Sequence, residues 1–208
     1  MNVVAHGVSH PVVSAADALQ RLKEGNARFL RGEAHVQSRW SEAFTELAQG
    51  QHPFATILGC SDSRVPPEWI FDAGLGELFV IRVAGNVLSA EVAGSIQYAA
   101  SHLQTPLIVV LGHEGCGAIE AALATKDEGA RQLRRIQLLV ESILPAMAGL
   151  DPHLPPHERL ARAVESNVRW TVRSILETPE GQARLAEGRM KLAGAIYEIR
   201  TGRVRFLD

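Results

Sequence analysis

Nowhere in the 208-residue chain is there an apolar run near the roughly 20 residues that a membrane-spanning helix needs. A basic start followed by an apolar stretch is also missing, so no secretory signal is expected. Neither charge sign is in excess: 21 Lys and Arg stand against 23 Asp and Glu, a formal net charge of -2. That balance excludes a general basic field for nucleic acid or an anionic membrane. The local cluster Arg131, Arg134 and Arg135 reads as a solvated helix face. No internal repeat or low-complexity tract is found. Cysteine is scarcest of all, with two residues. A secreted disulfide scaffold carries more of them in a shorter chain. One disulfide remains open on count alone, but a reducing, cytoplasmic setting with both thiols free fits better.

What is present fits one α/β domain spanning residues 1–208, with residues 1–50 as an N-terminal helical arm. A chain of this length buries a real core but does not divide comfortably into two. Residues 1–13 lack periodicity. Ser14 is placed to cap a helix, with Asp17 three residues on and Leu19, Leu22, Phe29 and Leu30 at helical intervals, up to Gly32. A second short helix is expected from Ser38 or Ser41 through Trp40, Phe44 and Leu47. So long a helical prelude has little core of its own to cover, and a partner subunit is the expected cover.

Strands then alternate with helices. Phe54–Leu58 and Leu107–Leu111 are apolar throughout, as strands buried on both faces of a parallel sheet are. Glu77–Val83 is a third strand. Pro66-Pro67 opens a helical turn, Gly85-Asn86 marks a turn, and helices are expected over Ser89–Leu103 and from Gly115. An amphipathic helix places Leu133, Ile136, Val140, Ile143 and Leu144 in register, up to Pro145. Leu160, Val164, Val168 and Val172 mark another, and a short one surrounds Pro179–Glu187. Met190–Ile199 and Val204–Leu207, joined at Thr201-Gly202, form an antiparallel hairpin. The fold class is therefore α/β: a mainly parallel sheet of about four strands plus a C-terminal antiparallel strand, flanked by helices.

Both cysteines lie just beyond a buried strand. Cys60 follows the first, in Gly59-Cys60-Ser61-Asp62-Ser63-Arg64. Cys116 follows the other, in Gly112-His113-Glu114-Gly115-Cys116-Gly117. Ligands of open α/β sheets sit beyond the carboxyl ends of strands where the strand order reverses. Cys60, His113 and Cys116 form a soft donor set of two sulfurs and one nitrogen that suits Zn²⁺. Three protein ligands leave a position for water, the mark of a catalytic rather than a structural zinc site, unless another histidine closes it. Asp62 is close enough to orient a hydroxide or to become a fourth ligand itself. Arg64 is able to hold Asp62 away in a bidentate fork. Two cysteines alone are more often core residues. A cysteine-phosphatase loop needs a longer span than the three residues between Cys60 and Arg64. The other histidines have no motif around them.

With both motifs in hand, the sequence resembles the β-class carbonic anhydrases. Cys60-Ser61-Asp62-Ser63-Arg64-Val65-Pro66-Pro67-Glu68 matches that family's first signature, and Gly112-His113-Glu114-Gly115-Cys116-Gly117-Ala118 its second. The resemblance implies one Zn²⁺ per subunit on Cys60, His113 and Cys116, with Asp62 a fourth ligand only in a closed state. It implies that Asp62 and Arg64 are the catalytic dyad. It also implies that zinc-bound hydroxide attacks CO₂ to give bicarbonate and a proton. A homodimer or dimer of dimers is implied, with the cleft at the subunit interface.

Members with a constitutively open site carry Gln nine residues before the first Cys, here Gln51. Those with a bicarbonate-closed site carry Trp three residues before it, where Ile57 stands. The CO₂ pocket is matched by Phe79 and Tyr98, by Ala84 in place of a usual Val, and by the backbone N–H of Gly117 as an oxyanion donor. Two other readings stay open: a COS or CS₂ hydrolase on the same scaffold, and a non-catalytic zinc-binding regulatory protein.

Overall fold

Two continuous apolar runs make neighbouring inner strands of one sheet in the computed structural model, which describes residues 13–35, 44–45, 47–188 and 190–208. The expected loose arm before residue 13 lies outside them, and so does most of the expected helix around Trp40, including Ser38 and Ser41. Strand β1 is Ala55–Gly59, β2 is Leu78–Arg82 and β3 is Leu107–His113. Every residue of β1 and β3 is buried, as both-face burial in a parallel sheet requires. Strand β4, Lys191–Glu198, lies parallel to β3, and β5, Arg203–Leu207, turns back antiparallel to β4. The order is β2-β1-β3-β4-β5. The mixed sheet of four parallel strands and one antiparallel strand is the one expected.

Helix α1, Ala15–Leu30, begins at Ser14, whose side chain accepts from the Asp17 N–H. It buries Ala18, Leu22, Gly25 and Asn26 against β5, β3 and the helical turn α2, Pro67–Ile70. Gly25 is obligatory here, because a Cβ would fall 1.8 Å from the Phe71 carbonyl oxygen. Asn26 pins the contact. Its amide donates to the carbonyls of Ile70 at 3.1 Å and Gly202 at 2.9 Å, and its oxygen accepts from the Val204 N–H at 2.9 Å. Part of the N-terminal prelude thus covers the core of its own chain.

Helix α3, Ala90–Tyr98, follows β2 and passes into a π-helical turn over Ala99–Leu103. The expected single helix to Leu103 is corrected here. A pattern of apolar residues three and four apart does not register one inserted residue, and the wider turn buries both Ala99 and Ala100. Helix α4 is Gly117–Glu128, two residues later than expected, because Cys116 is its N-cap. Helix α5, Arg134–Ile143, buries Val140 and Ile143, while Leu133 and Ile136 at its start are exposed. The apolar stripe extends past the end of the core. Helix α6, Pro156–Leu176, crosses β3 and β4. Val168 comes so close that a Cβ on Gly112 or Gly194 would lie 2.5 or 2.9 Å from its methyls. Helix α7 is Pro179–Ala186.

Beyond β1 the order reverses, with β2 on one side and β3 on the other. Gly59 pairs with Leu111, so the residue after β1 emerges beside the last residues of β3. The crevice at this reversal is the standard ligand position in such sheets.

Replacing Asn26 by Ala removes the side-chain partner of one buried and two half-buried backbone groups. Because each costs about 1–3 kcal/mol, Asn26→Ala should lower stability by about 3 kcal/mol, read as a lower urea midpoint at unchanged slope. A change within 0.5 kcal/mol would show that α1 is held by apolar packing alone.

Candidate metal centre

Cys60 follows β1 directly, His113 ends β3 and Cys116 caps α4. All three are buried, and their ligand atoms lie within 4.8 Å of one another. The two sulfurs are 4.0 Å apart. Two thiolates on one tetrahedral Zn²⁺ at about 2.3 Å each would be about 3.8 Å apart, close to that spacing. His113 Nδ1 lies 2.9 Å from the Glu114 carbonyl oxygen, the bond that commits Nδ1 as donor and leaves a lone pair on Nε2. That Nε2 is buried without a hydrogen-bond partner. An unpartnered imidazole nitrogen within reach of two thiols is what a metal ligand set presents.

The charges agree. The hydrogen bond from Cys116 holds the Cys60 thiol well below its ordinary value, against burial, with help from His113 and the Gly85 N–H. The same bond, burial and the Cys60 charge push Cys116 up. For His113, burial acts downward, but the neighbouring Cys60 sulfur and its charge outweigh it and raise the imidazole. These surroundings favour charge on one of the two sulfurs. A divalent cation would let both ionise.

Asp62 and Arg64 stand at the rim. Arg64 Nε donates to Asp62 Oδ1 at 2.9 Å and Nη2 to Oδ2 at 2.7 Å, while the Arg64 backbone N–H also donates to Oδ1 at 2.9 Å. Nη2 reaches the Gly115 carbonyl at 3.1 Å as well, tying the two motifs together. The fork holds the Asp62 carboxyl well below the usual range. Asp62 Oδ2 is 3.9 Å from His113 Nε2. In this structure Asp62 is turned to Arg64, while one of its oxygens still borders the ligand set.

Three contacts were not anticipated from the sequence. Arg82, at the end of β2, donates from Nε to the Cys60 carbonyl at 3.0 Å and from Nη2 to the Asp62 carbonyl at 2.6 Å. The Gly85 N–H donates to Cys60 Sγ at 3.4 Å. Asn167 Nδ2, on α6, donates to the Gly85 carbonyl at 2.8 Å. Nothing in the pattern distinguishes Arg82 from a solvated strand end. Asn167 did carry a signal, as an amide inside the apolar stripe of Val164 and Val168.

Among the remaining expected residues, Phe79 and Tyr98 are neighbours, their rings 6.1 Å apart, centre to centre. His102 lies against the Tyr98 ring at 4.9 Å. Ala84 opens the short helical turn that carries Gly85. Gly117 is the first residue of α4 and Gln51 is exposed on the loop before β1. A cavity of about 230 Å³ between α3 and α7, lined by Leu88, Ile96, Ile175 and Met190 among others, contains none of these residues.

Arg82→Met keeps the aliphatic stem and removes both ties to the Cys60–Asp62 segment. Hydrogen bonds from a charged donor are worth about 1.5–3 kcal/mol, so amide exchange at Ser61–Arg64 should quicken by about tenfold or more. Exchange in β1 should stay as it was. Equal exchange in both proteins would mean that Arg82 does not hold the segment.

The carbonic anhydrase family model matches residues 55–204, nearly three quarters of the chain and both motifs. Carbonic anhydrase 2 of Mycobacterium tuberculosis is 39% identical over 202 residues, 95% of either chain. Among solved structures, the β-carbonic anhydrase CcaA superposes with a TM-score of 0.73 at 30% identity, over 91% of this chain and 95% of its own. A tetrameric β-carbonic anhydrase of Sordaria macrospora does so at 0.74 and 26% identity, over 92% and 97%.

Proposed function

This chain belongs to the β-class carbonic anhydrase family, and we propose how its residues divide the work of interconverting CO₂ and bicarbonate. In the net reaction water adds to the carbon of CO₂ and releases a proton. Cys60, His113 and Cys116 hold one Zn²⁺ per subunit. The observation that carries this assignment is the buried, unpartnered Nε2 of His113 within reach of two thiols. When bound, the ion supplies Lewis acidity, lowering the pKa of a water to about 7.

Asp62 accepts a hydrogen bond from the attacking water and aims its lone pair at the CO₂ carbon. Arg64 keeps Asp62 in that position and off the ligand set. Phe79 and Tyr98 offer an apolar face to CO₂, with Ala84 widening the pocket. The Gly117 N–H and Gln51 donate to the oxygens that gain charge. Gly117, as the first residue of α4, suits that task, because a helix start leaves N–H groups without intrahelical partners.

The working form is a homodimer or a dimer of dimers. Exposed Leu30, Phe44, Trp69, Leu75 and Tyr98 support it, as does the tetrameric relative. The chain acts as one domain whose N-terminal arm, residues 1–50, reaches the partner subunit. We place it in the cytoplasm, where a reducing medium keeps both buried thiols free. Among the described residues no helix is long and apolar enough to cross a membrane.

Asp62→Asn retains the shape of the side chain and loses its charge. CO₂ hydration in stopped flow should fall by about 10²–10³-fold with zinc content unchanged. Undiminished turnover would remove Asp62 from the mechanism. Light scattering should give twice or four times the 22.5 kDa chain mass. A monomer that is fully active would contradict the assembly.

A further inference from the structure

The Cys60 sulfur receives a backbone hydrogen bond from a turn that is anchored by α6. Gly85 N–H donates to Sγ at 3.4 Å, and the carbonyl of the same residue accepts from Asn167 Nδ2 at 2.8 Å. Gly85 has φ of +70°, and a Cβ there would meet Ile143 Cδ1 at 2.8 Å and Ala118 Cβ at 3.2 Å. The turn is thus confined by packing to a residue without a side chain. Its neighbour Asn86 is also at positive φ, 45°. Besides the backbone bonds from the Asn86 N–H to the Val83 carbonyl at 2.9 Å and from the Val83 N–H to the Gly59 carbonyl at 3.1 Å, the turn has a side-chain anchor. Asn167 is 1% exposed on α6, and its amide is that anchor. Stability alone does not call for an amide in the apolar stripe of Val164 and Val168, since burying one carries a desolvation cost.

We propose that Asn167 is a positioning residue for the metal centre. It holds the Gly85 carbonyl, in the peptide that follows the N–H aimed at the Cys60 sulfur, and so fixes the turn that presents that N–H. A hydrogen bond to a thiolate draws electron density from sulfur and fixes its lone pairs, so the donor strength of Cys60 is set by a residue on α6. The proposal rests on the reading of Cys60, His113 and Cys116 as metal ligands. It adds to that reading a residue 107 positions downstream of Cys60 that touches neither metal nor substrate.

The direct test is the spectrum of the protein loaded with ¹¹³Cd²⁺, in which an N–H···S–Cd bond transmits scalar coupling from the metal to the amide proton. In the wild type the Gly85 amide proton should couple to ¹¹³Cd. In Asn167→Leu that coupling should vanish with cadmium still bound, and Zn²⁺ affinity by chelator competition should drop about 10- to 100-fold, the usual range for groups behind a ligand. If Asn167→Leu does not fold, Asn167→Asp, of nearly the same volume, takes its place. Bound cadmium without coupling to Gly85 in the wild type overturns the proposal and leaves the ligand assignment standing. Retained coupling and affinity in the folded variant also overturn it. A wild type that binds no cadmium would defeat the ligand assignment and this proposal with it.

Discussion

Two sulfurs 4.0 Å apart beside a buried imidazole cannot both carry charge comfortably without a cation between them. Two like charges at that distance repel by about 4 kcal/mol even at an effective dielectric of 20. Without a cation, the surroundings favour charge on Cys60 and a proton on Cys116. His113 Nε2 is left with no hydrogen-bond partner. A divalent ion removes all three difficulties together. The rest of the structure is arranged around that requirement: two fully buried strands deliver Cys60 and His113 to one crevice, and the start of α4 brings Cys116 to meet them.

The reactive residues are few, and the groups holding them are spread over the chain. Arg64 ties the first motif to the second through Gly115. Arg82 grips the carbonyls on either side of Ser61 from β2. Asn167 holds the Gly85 carbonyl from α6. The segment from Cys60 to Arg64 is outside regular strand pairing, yet β2, the Gly85 turn and the second motif all fasten it. Such bracing lets Asp62 sit beside the ligands without joining them.

Much of this was legible in the chain itself. Continuous apolar runs marked β1 and β3 because both faces of a central parallel strand are covered. The cysteines stood out because there are two and each follows such a run. The π-helical turn after Tyr98 was not legible, since a single inserted residue hardly disturbs the spacing of apolar positions. Nor was the exposure of Leu133 and Ile136, which depends on where the core ends rather than on the helix. The role of Arg82 depends on which carbonyls happen to lie within reach of a strand end. Asn167 could have been noticed as a polar residue on a buried stripe, but its target is an ordinary backbone carbonyl that no side-chain pattern announces.

The central claim is that one cation on Cys60, His113 and Cys116 gives this chain its activity toward CO₂. The most direct measurement is stopped-flow CO₂ hydration on protein stripped by a chelator and reloaded stepwise with Zn²⁺, beside Cys60→Ala treated in the same way. The rate should rise in proportion to bound zinc up to one ion per chain, and Cys60→Ala should stay at the uncatalysed rate throughout. Hydration by the stripped protein, or a full complement of zinc without hydration, would contradict it.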